Sequence, residues 1–176
     1  IEAAEDLILE ANSLQGITLD AVAQRAGVPR VSLYYFFDSI ESLLDALYQR
    51  GVQKMVASLP QAPRAADWRE MLLLYVDGVR DFYLSNRVEM ILALVPVSLL
   101  SVNQVSRDFG QSLFQLLHAQ GLVPKTQKVL RACEMVSELA DLVWRKSLIE
   151  KGTLTPAYTR EVKRVVIAYL ESVLAD

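Results

Sequence analysis

Residues 18–44 read TLDAVAQRAGVPRVSLYYFFDSIESLL, and the order of residue types in this stretch predicts helices joined by tight turns. Thr18 is of a type that caps helix amino termini. The apolar residues after it recur at spacings of three and four, which puts them on one helical face: Leu19, Val22, Ala23 and Ala26. Gly27 can adopt a positive φ without strain, so we expect it to end this helix. Pro29 suits the first position of the next helix.

The next helix, predicted over about residues 29–36, has an unusual outer face. Leu33 and Phe37 are expected to point inward. The outward side chains are then polar or aromatic: Arg30, Ser32, Tyr34 or Tyr35, and Phe36. Ser39 opens a third helix, with Ser42 where a capping box usually has Glu. A helix, a glycine turn and a second, exposed helix make up the helix-turn-helix pattern of DNA-binding proteins.

The motifs Ala-Gly-Val-Pro, Leu-Tyr-Tyr-Phe-Phe and Ser-x-Glu, at these spacings, resemble the amino-terminal domain of the TetR family of one-component transcriptional regulators. The resemblance covers about residues 1–50. It implies an all-helical homodimer that acts as a repressor: two recognition helices bind operator DNA and release it when a small ligand enters the carboxy-terminal domain. By position it implies DNA contacts from Thr18, Pro29, Arg30, Ser32, Tyr34, Tyr35 and Ser39. Hydroxyls and a guanidinium suit contacts to phosphate and base edges.

Two residues depart from the family pattern. Val31 stands where the family usually has glycine, and Ile40 stands where a lysine usually pairs with phosphate. Both changes remove favourable DNA contacts. The alternative interpretation is therefore a TetR-like helical dimer with weakened DNA binding, which serves as a small-molecule or protein-binding module.

The charge of the first 50 residues also departs from a DNA-binding module. This stretch holds three Arg and eight Asp or Glu, a local net charge of −5. Cations that contact phosphate normally supply most of the non-specific affinity for DNA. Because the chain begins at Ile1 without an initiator Met, and family members often carry Arg or Lys just ahead of this point, a basic arm before Ile1 is an expected source of the missing charge.

Composition and periodicity predict an all-α protein of two domains. The chain has 176 residues, is 52% hydrophobic and carries a net charge of −3. We expect residues 1–50 to form a three-helix DNA-binding head and residues 51–176 to form a six-helix ligand-binding and dimerisation domain. Six helices are predicted after the recognition helix, over about residues 39–59, 66–84, 88–102, 103–120, 126–150 and 156–174. Pro60 and Pro63 bracket a linker, and Pro96 is expected to kink the helix of residues 88–102.

The sequence predicts a cytoplasmic protein with no membrane segment. Its most apolar run, residues 88–102, includes Glu89 and is shorter than the roughly 18 residues that a spanning helix needs. No signal peptide is recognisable. The single cysteine, Cys133, excludes an internal disulfide and fits a reducing compartment. We favour a buried small hydrophobe at Cys133 over a redox sensor.

We assign two sets of apolar residues to binding surfaces. For each set, the alternative is that the residues only pack in the hydrophobic core. The first set is expected to line a mostly apolar pocket for a small hydrophobic or amphipathic effector: Trp68, Met71, Tyr75, Phe82, Met90 and Phe109. The second set, on the last two helices, is expected to form a four-helix homodimer interface: Val136, Leu139, Val143, Val162, Val166, Tyr169 and Leu170.

Catalysis is not expected. The chain has one histidine, His118, and one cysteine, Cys133, far apart in sequence. Neither a Cys-His dyad nor a zinc site of usual spacing can be assembled from them. No glycine-rich phosphate loop is present, and pairs of carboxylates at helical spacing are typical of solvated faces. We therefore predict a protein without catalytic residues, metal or cofactor.

Overall fold

The structure is a computed structural model that describes residues 1–58, 65–95 and 99–175. Within these residues the chain forms nine α-helices and no β-strand, which confirms the all-α prediction. The helices are α1 (Glu2–Ala11), α2 (Leu19–Ala26), α3 (Arg30–Phe36), α4 (Ile40–Ser58), α5 (Trp68–Ser85), α6 (Arg87–Leu94), α7 (Leu99–Ala119), α8 (Gln127–Lys151) and α9 (Pro156–Ala175). None of these helices is long and apolar enough to cross a bilayer.

The turns around α2 and α3 form as the sequence predicts. Thr18 caps α2, because its Oγ1 accepts a hydrogen bond from the backbone N–H of Ala21 at 3.2 Å. Gly27 ends α2 with a φ of 67°, in the left-handed region that glycine tolerates. Ser39 and Ser42 cap the start of α4 reciprocally, since each hydroxyl oxygen accepts a hydrogen bond from the other residue's backbone N–H at 3.3 Å. Local chemistry therefore sets the angles between these three helices.

The boundary between α6 and α7 differs from the prediction. One helix was expected over residues 88–102, but α6 ends at Leu94 and α7 begins at Leu99. Val95 has φ −111° and ψ 81°, outside the helical region. This conformation agrees with the steric restriction that a following proline imposes. The expected kink at Pro96, and the predicted linker prolines Pro60 and Pro63, lie outside the described residues.

Two hydrophobic clusters organise the described residues, and α6 belongs to both. The head cluster combines residues of α1, α2 and the first half of α4 with Val88, Ile91 and Leu92 of α6. The body cluster combines residues of α4, α5, α7, α8 and α9 with Met90, Ala93 and Leu94 of α6. The predicted domain boundary at residues 50–51 falls inside α4, so α4 also continues from one cluster into the other.

Helices α7 and α8 lie close together at Gly110. A Cβ atom placed on Gly110 would lie 2.4 Å from the Cα of Glu134, and this neighbour is backbone that cannot rotate away. The absence of a side chain at Gly110 therefore permits the contact between the two helices. The packing of the body cluster depends on this contact, since α8 packs against both α7 and α9.

We predict that Gly110→Ala destabilises the protein by about 2–3 kcal/mol, because the added methyl group forces the two helices apart. Chemical denaturation monitored by circular dichroism measures the change. Gly51→Ala in α4 is the matched control: the nearest atom to its added Cβ is the Glu89 Cγ at 3.0 Å, the movable part of a side chain. We expect that control to change stability by no more than about 1 kcal/mol. Equal losses in both variants would contradict the prediction.

Candidate functional site

Helix α3 stands out from the head with an exposed apolar and aromatic surface. Tyr35 is 84% exposed, Val31 is 80% exposed and Phe36 is 72% exposed. Leu33 and Phe37 are half-buried and pack against the head cluster, as the sequence predicts. The helix is therefore held along one face while the opposite face is open. On that face the rings of Tyr35 and Phe36 meet edge to face, with centroids 5.2 Å apart.

The residues predicted to contact DNA lie mostly on this open surface. Six of them are exposed: Thr18, Pro29, Arg30, Ser32, Tyr34 and Tyr35. The ion pair between Arg30 and Asp20, at 2.7 Å, joins the start of α3 to the first turn of α2, next to Thr18. Ser39 is half-buried and caps α4. DNA contact by these residues stays a prediction.

The cations of the head are all engaged with carboxylates. Each arginine in residues 1–50 forms an ion pair: Arg25 with Glu10 at 2.5 Å, Arg30 with Asp20 at 2.7 Å, and Arg50 with Glu5. Arg30 also donates a hydrogen bond to the Tyr34 hydroxyl at 3.2 Å. This hydrogen bond and the charge of Asp20 raise the pKa of the Arg30 guanidinium. The open face of α3 thus offers hydroxyl and apolar groups rather than free positive charge.

A small internal cavity lies between α5, α7 and α8. Its volume is about 20 Å³, and it is lined by Tyr75, Val76, Val79, Phe109, Val136, Ser137, Ala140, Asp141 and Trp144. A second cavity of about 10 Å³ is bordered by Phe109, Phe82 and Tyr83, among others. Phe109 therefore stands between the two cavities.

Only part of the predicted effector set borders these cavities. Tyr75 and Phe109 line the first, and Phe82 lines the second. Met71 and Met90 are core residues that line neither, and Trp68 is half-buried at the start of α5. Effector contact by all six residues stays a prediction. Helical periodicity identifies a buried face, but it cannot tell which buried side chains border a void.

The polar groups of the first cavity were not predicted. Asp141 is 7% exposed, and burial raises the pKa of its carboxyl from 3.8 to about 7, although the charge of Arg145 acts in the opposite direction. Trp144 Nε1 is buried and has no hydrogen-bond partner within the described ranges. The Tyr83 hydroxyl beside the second cavity is in the same state. The sequence did offer one sign of this polar site, because Asp141 is an acidic residue within the otherwise apolar stripe Val136–Trp144.

The other polar side chains of the first cavity have partners. The Tyr75 hydroxyl donates a hydrogen bond to the Phe109 carbonyl oxygen at 3.0 Å. The Ser137 hydroxyl donates to the Cys133 carbonyl oxygen at 3.2 Å. Cys133 itself is fully buried, and burial raises the pKa of its thiol to about 12. Such a thiol is poorly reactive, which agrees with its interpretation as a small core residue.

Most of the predicted dimer residues are core residues of a single chain. Four of them are buried and belong to the body cluster: Val136, Val162, Val166 and Leu170. They pack within this one chain, and their part in a dimer interface stays a prediction. Leu139, Val143 and Tyr169 are half-buried. The apolar stripe was wide because α8 contacts α7 and α9 within the same chain.

A different face of α8 carries exposed apolar side chains. Met135 is 43% exposed, Leu142 is 57% exposed and Ile149 is 77% exposed. These residues follow one another at intervals of seven, so they form one line along the helix. We call this line the α8 stripe. The heptad spacing was visible in the sequence, but the more regular buried pattern beside it concealed it.

Known proteins are similar to this chain both in the sequence of the head and in the fold of nearly the whole chain. Residues 1–47 match the model of the family described as "Bacterial regulatory proteins, tetR family". An HTH-type transcriptional repressor of Mycobacterium tuberculosis and an uncharacterised HTH-type transcriptional regulator of Mycobacterium bovis are each 29% identical over 87 residues, which is 49% of this chain and 33% of the relative. The chain thus spans about a third of the length of these curated relatives.

Two solved structures are similar over nearly the whole chain. A TetR-family transcriptional regulator from Streptomyces coelicolor has a TM-score of 0.75 and 24% identity, covering 98% of this chain and 96% of its own. A TetR regulator from a Rhodococcus species has a TM-score of 0.67 and 20% identity, covering 96% and 92%. At such identities the likeness concerns the fold.

We predict that Asp141 makes stability depend on pH. Because its pKa is raised on folding, the folded chain keeps a proton that the unfolded chain loses as pH rises from 3.8 towards 7. Stability from this group is therefore greatest below that interval and falls across it. Asp141→Asn removes the effect, so its advantage in stability over the parent chain should grow by about 2–3 kcal/mol between pH 5 and pH 8.

Urea denaturation at the two pH values measures this difference. Asp108→Asn is the control, because Asp108 is half-buried on α7 and accepts hydrogen bonds from Tyr48 and Gln104 outside the first cavity. Its effect on stability should be similar at both pH values. An Asp141→Asn advantage that does not change with pH would contradict the assignment.

Proposed function

The chain belongs to the TetR family of bacterial regulatory proteins, and from this premise we propose that it is a transcriptional repressor that binds operator DNA as a homodimer and is released by a small effector. Members of this family are regulators rather than enzymes. The open face of α3 carries the proposal.

An exposed surface of this composition needs a partner. Val31, Tyr35 and Phe36 lie within six residues on one short helix and are each more than 70% exposed. The major groove of DNA admits an α-helix and presents thymine methyl groups as well as hydrogen-bonding edges. Apolar contacts to these methyl groups, with the Tyr35 hydroxyl on a base edge or phosphate, match the chemistry of this face.

The paired arginines favour the alternative, a helical dimer with weakened DNA binding. Each arginine of the head already has a carboxylate partner, so a phosphate must compete with that carboxylate for the guanidinium. This competition reduces the non-specific part of the affinity. The repressor proposal therefore relies on contacts between side chains and DNA bases for its affinity. In the alternative function, these base contacts are too few to give a preference for one DNA sequence.

Dimer formation is proposed through the α8 stripe. A single recognition helix reads few base pairs, whereas a two-fold dimer presents two helices to successive major grooves. Met135, Leu142 and Ile149 form a line of exposed apolar side chains that a second copy can cover with its own line. The half-buried residues Leu139 and Val143 lie on the same helix beside it.

Effector release is proposed to act through α6. This helix packs against the body cluster with Met90 and Leu94, and against the head cluster with Val88, Ile91 and Leu92. An effector that enlarges the cavity between α5, α7 and α8 is expected to displace α6, and with it the head. Such a ligand shifts the population from the DNA-binding arrangement to one with wrongly spaced recognition helices.

Polar contacts support this role of α6. Arg87, its first residue, donates to Asn12 Oδ1 at the end of α1 at 2.6 Å and to the Gly152 carbonyl oxygen at the end of α8 at 3.0 Å. One side chain therefore bridges the head and the last two helices.

We expect the chain to enrich a defined sequence from a library of random duplex DNA at low salt. Tyr35→Ala should weaken binding to that sequence by about tenfold or more, because base-contacting side chains contribute roughly 1–3 kcal/mol. Its melting temperature should stay unchanged, since Tyr35 is 84% exposed. Fluorescence anisotropy measures the affinity.

Leu84→Ala is the matched control for Tyr35→Ala, because Leu84 is a 49% exposed apolar residue on α5, outside the head. It should bind the selected DNA like the parent chain. Failure to enrich any sequence would favour the alternative function, and a lower melting temperature for Tyr35→Ala would mark that side chain as structural.

We predict that Leu142→Glu converts the dimer to a monomer at micromolar concentration, because it buries two carboxylates in a self-complementary apolar interface. Sedimentation velocity measures the mass. Leu74→Glu, at a 41% exposed leucine on α5, is the control and should remain dimeric. A parent chain that sediments as a monomer, or an unchanged Leu142→Glu dimer, would refute the use of the α8 stripe.

A further inference from the structure

Building on the proposed effector site, we propose that the effector is an uncharged, mostly apolar molecule with a hydroxyl group, which Asp141 and Trp144 hold inside the cavity between α5, α7 and α8. The two residues are three positions apart on α8, so they lie on the same side of the helix. Both line this cavity.

The two side chains offer complementary halves of one hydrogen-bonding site. Trp144 Nε1–H is a donor only, and it is buried without a partner among the described residues. The Asp141 carboxylate is an acceptor that lines the same cavity, and among the described residues the charge of Arg145 acts on it without a hydrogen bond. A hydroxyl oxygen accepts from the indole N–H while its hydrogen is donated to the carboxylate. One hydroxyl group therefore satisfies both side chains.

Other ligand classes fit these walls less well. A carboxylate or phosphate would meet the Asp141 charge with no compensating cation, because none of the nine lining residues is basic. The nearby Arg145 is not among them, and its Nε donates to the Leu94 carbonyl oxygen at 2.7 Å. A hydrocarbon would leave both polar groups without partners. An ammonium ion would pair with Asp141 but supplies no acceptor for the indole N–H.

The size of the cavity agrees with a hydroxyl as the anchoring group. A volume of about 20 Å³ accepts one water-sized group. The apolar part of the effector needs further room, and Phe109 is the side chain between this cavity and the second one of about 10 Å³. Movement of the Phe109 ring would join the two spaces. The other apolar walls of the first cavity include the side chains of Val76, Val79, Val136 and Ala140.

A matched set of four benzene derivatives tests the proposal: benzyl alcohol, toluene, benzylammonium and benzoate. They share one ring and differ in the polar group. Isothermal titration calorimetry at pH 8 measures the affinity of the full chain for each. We expect benzyl alcohol to bind about tenfold tighter than toluene, with benzylammonium and benzoate both weaker than the alcohol. Tighter binding of toluene, benzylammonium or benzoate, or no binding of benzyl alcohol at millimolar concentration, would overturn the proposal.

Substitutions test whether Asp141 and Trp144 cause the preference for benzyl alcohol over toluene. Asp141→Leu and Trp144→Phe each remove one half of the site, so the ratio of alcohol to toluene affinity should fall to about twofold or less. Asp141→Asn keeps an acceptor oxygen and should retain most of the ratio. Asp108→Leu, outside the cavity lining, should leave the ratio unchanged. A ratio that survives both Asp141→Leu and Trp144→Phe would place the alcohol elsewhere and refute the assignment.

These measurements are independent of DNA. A chain that binds operator DNA but shows no preference for the alcohol would refute the effector proposal alone. A chain that prefers the alcohol but selects no DNA sequence would refute the repressor proposal alone.

Discussion

The double burial of α6 is the constraint that links the packing of the head to the packing of the body. Val88 and Ile91 are enclosed by helices of the head, while Met90 and Leu94 on the other side of the same helix are enclosed by the body. Protein interiors are packed almost as densely as crystals of small molecules, so neither cluster can absorb a shift of α6 by compressing. A change in the body that moves α6 must therefore be met by a repacking or a rotation of the head.

The head combines an exposed recognition surface with internally paired charges, and these two features balance each other. A helix with Val31, Tyr35 and Phe36 open to water is prone to non-specific association. The acidic surplus of residues 1–50 opposes association with other acidic surfaces and with DNA of any sequence. On the proposed function, binding to DNA then requires close apolar contact in the major groove. A protein that is weakly attracted to DNA of any sequence, but makes specific contacts at one site, discriminates well between DNA sequences. It also finds its site more slowly.

The sequence predicted those features that depend on neighbouring residues. The cap at Thr18, the positive φ of Gly27 and the reciprocal caps of Ser39 and Ser42 involve partners at most three residues apart, so local chemistry was sufficient. The open face of α3 was also predicted, because the pattern of a short helix divides inward from outward positions.

Features that depend on several helices meeting in space were predicted only in part. Val136 and Val166 were correctly placed on apolar faces, but periodicity could not tell that α7 and α9 of the same chain cover those faces. A close backbone contact that allows this packing occurs at Gly110, and nothing in the sequence identified that glycine as a helix contact. The cavity was missed at Asp141 and Trp144 for the same reason, since its walls come from three helices.

A buried carboxyl that lowers stability at neutral pH calls for a functional explanation. The raised pKa of Asp141 means that the surrounding protein disfavours its charged form, and an apolar residue of similar size would remove that penalty. Trp144 next to it leaves an indole N–H unpaired, which adds a second cost. Both costs fall when a ligand supplies the missing hydrogen bonds. The Asp141 carboxyl and the Trp144 indole N–H, which destabilise the free protein, therefore increase the difference in free energy between its empty and occupied states. An effector can shift a conformational equilibrium only through such a difference.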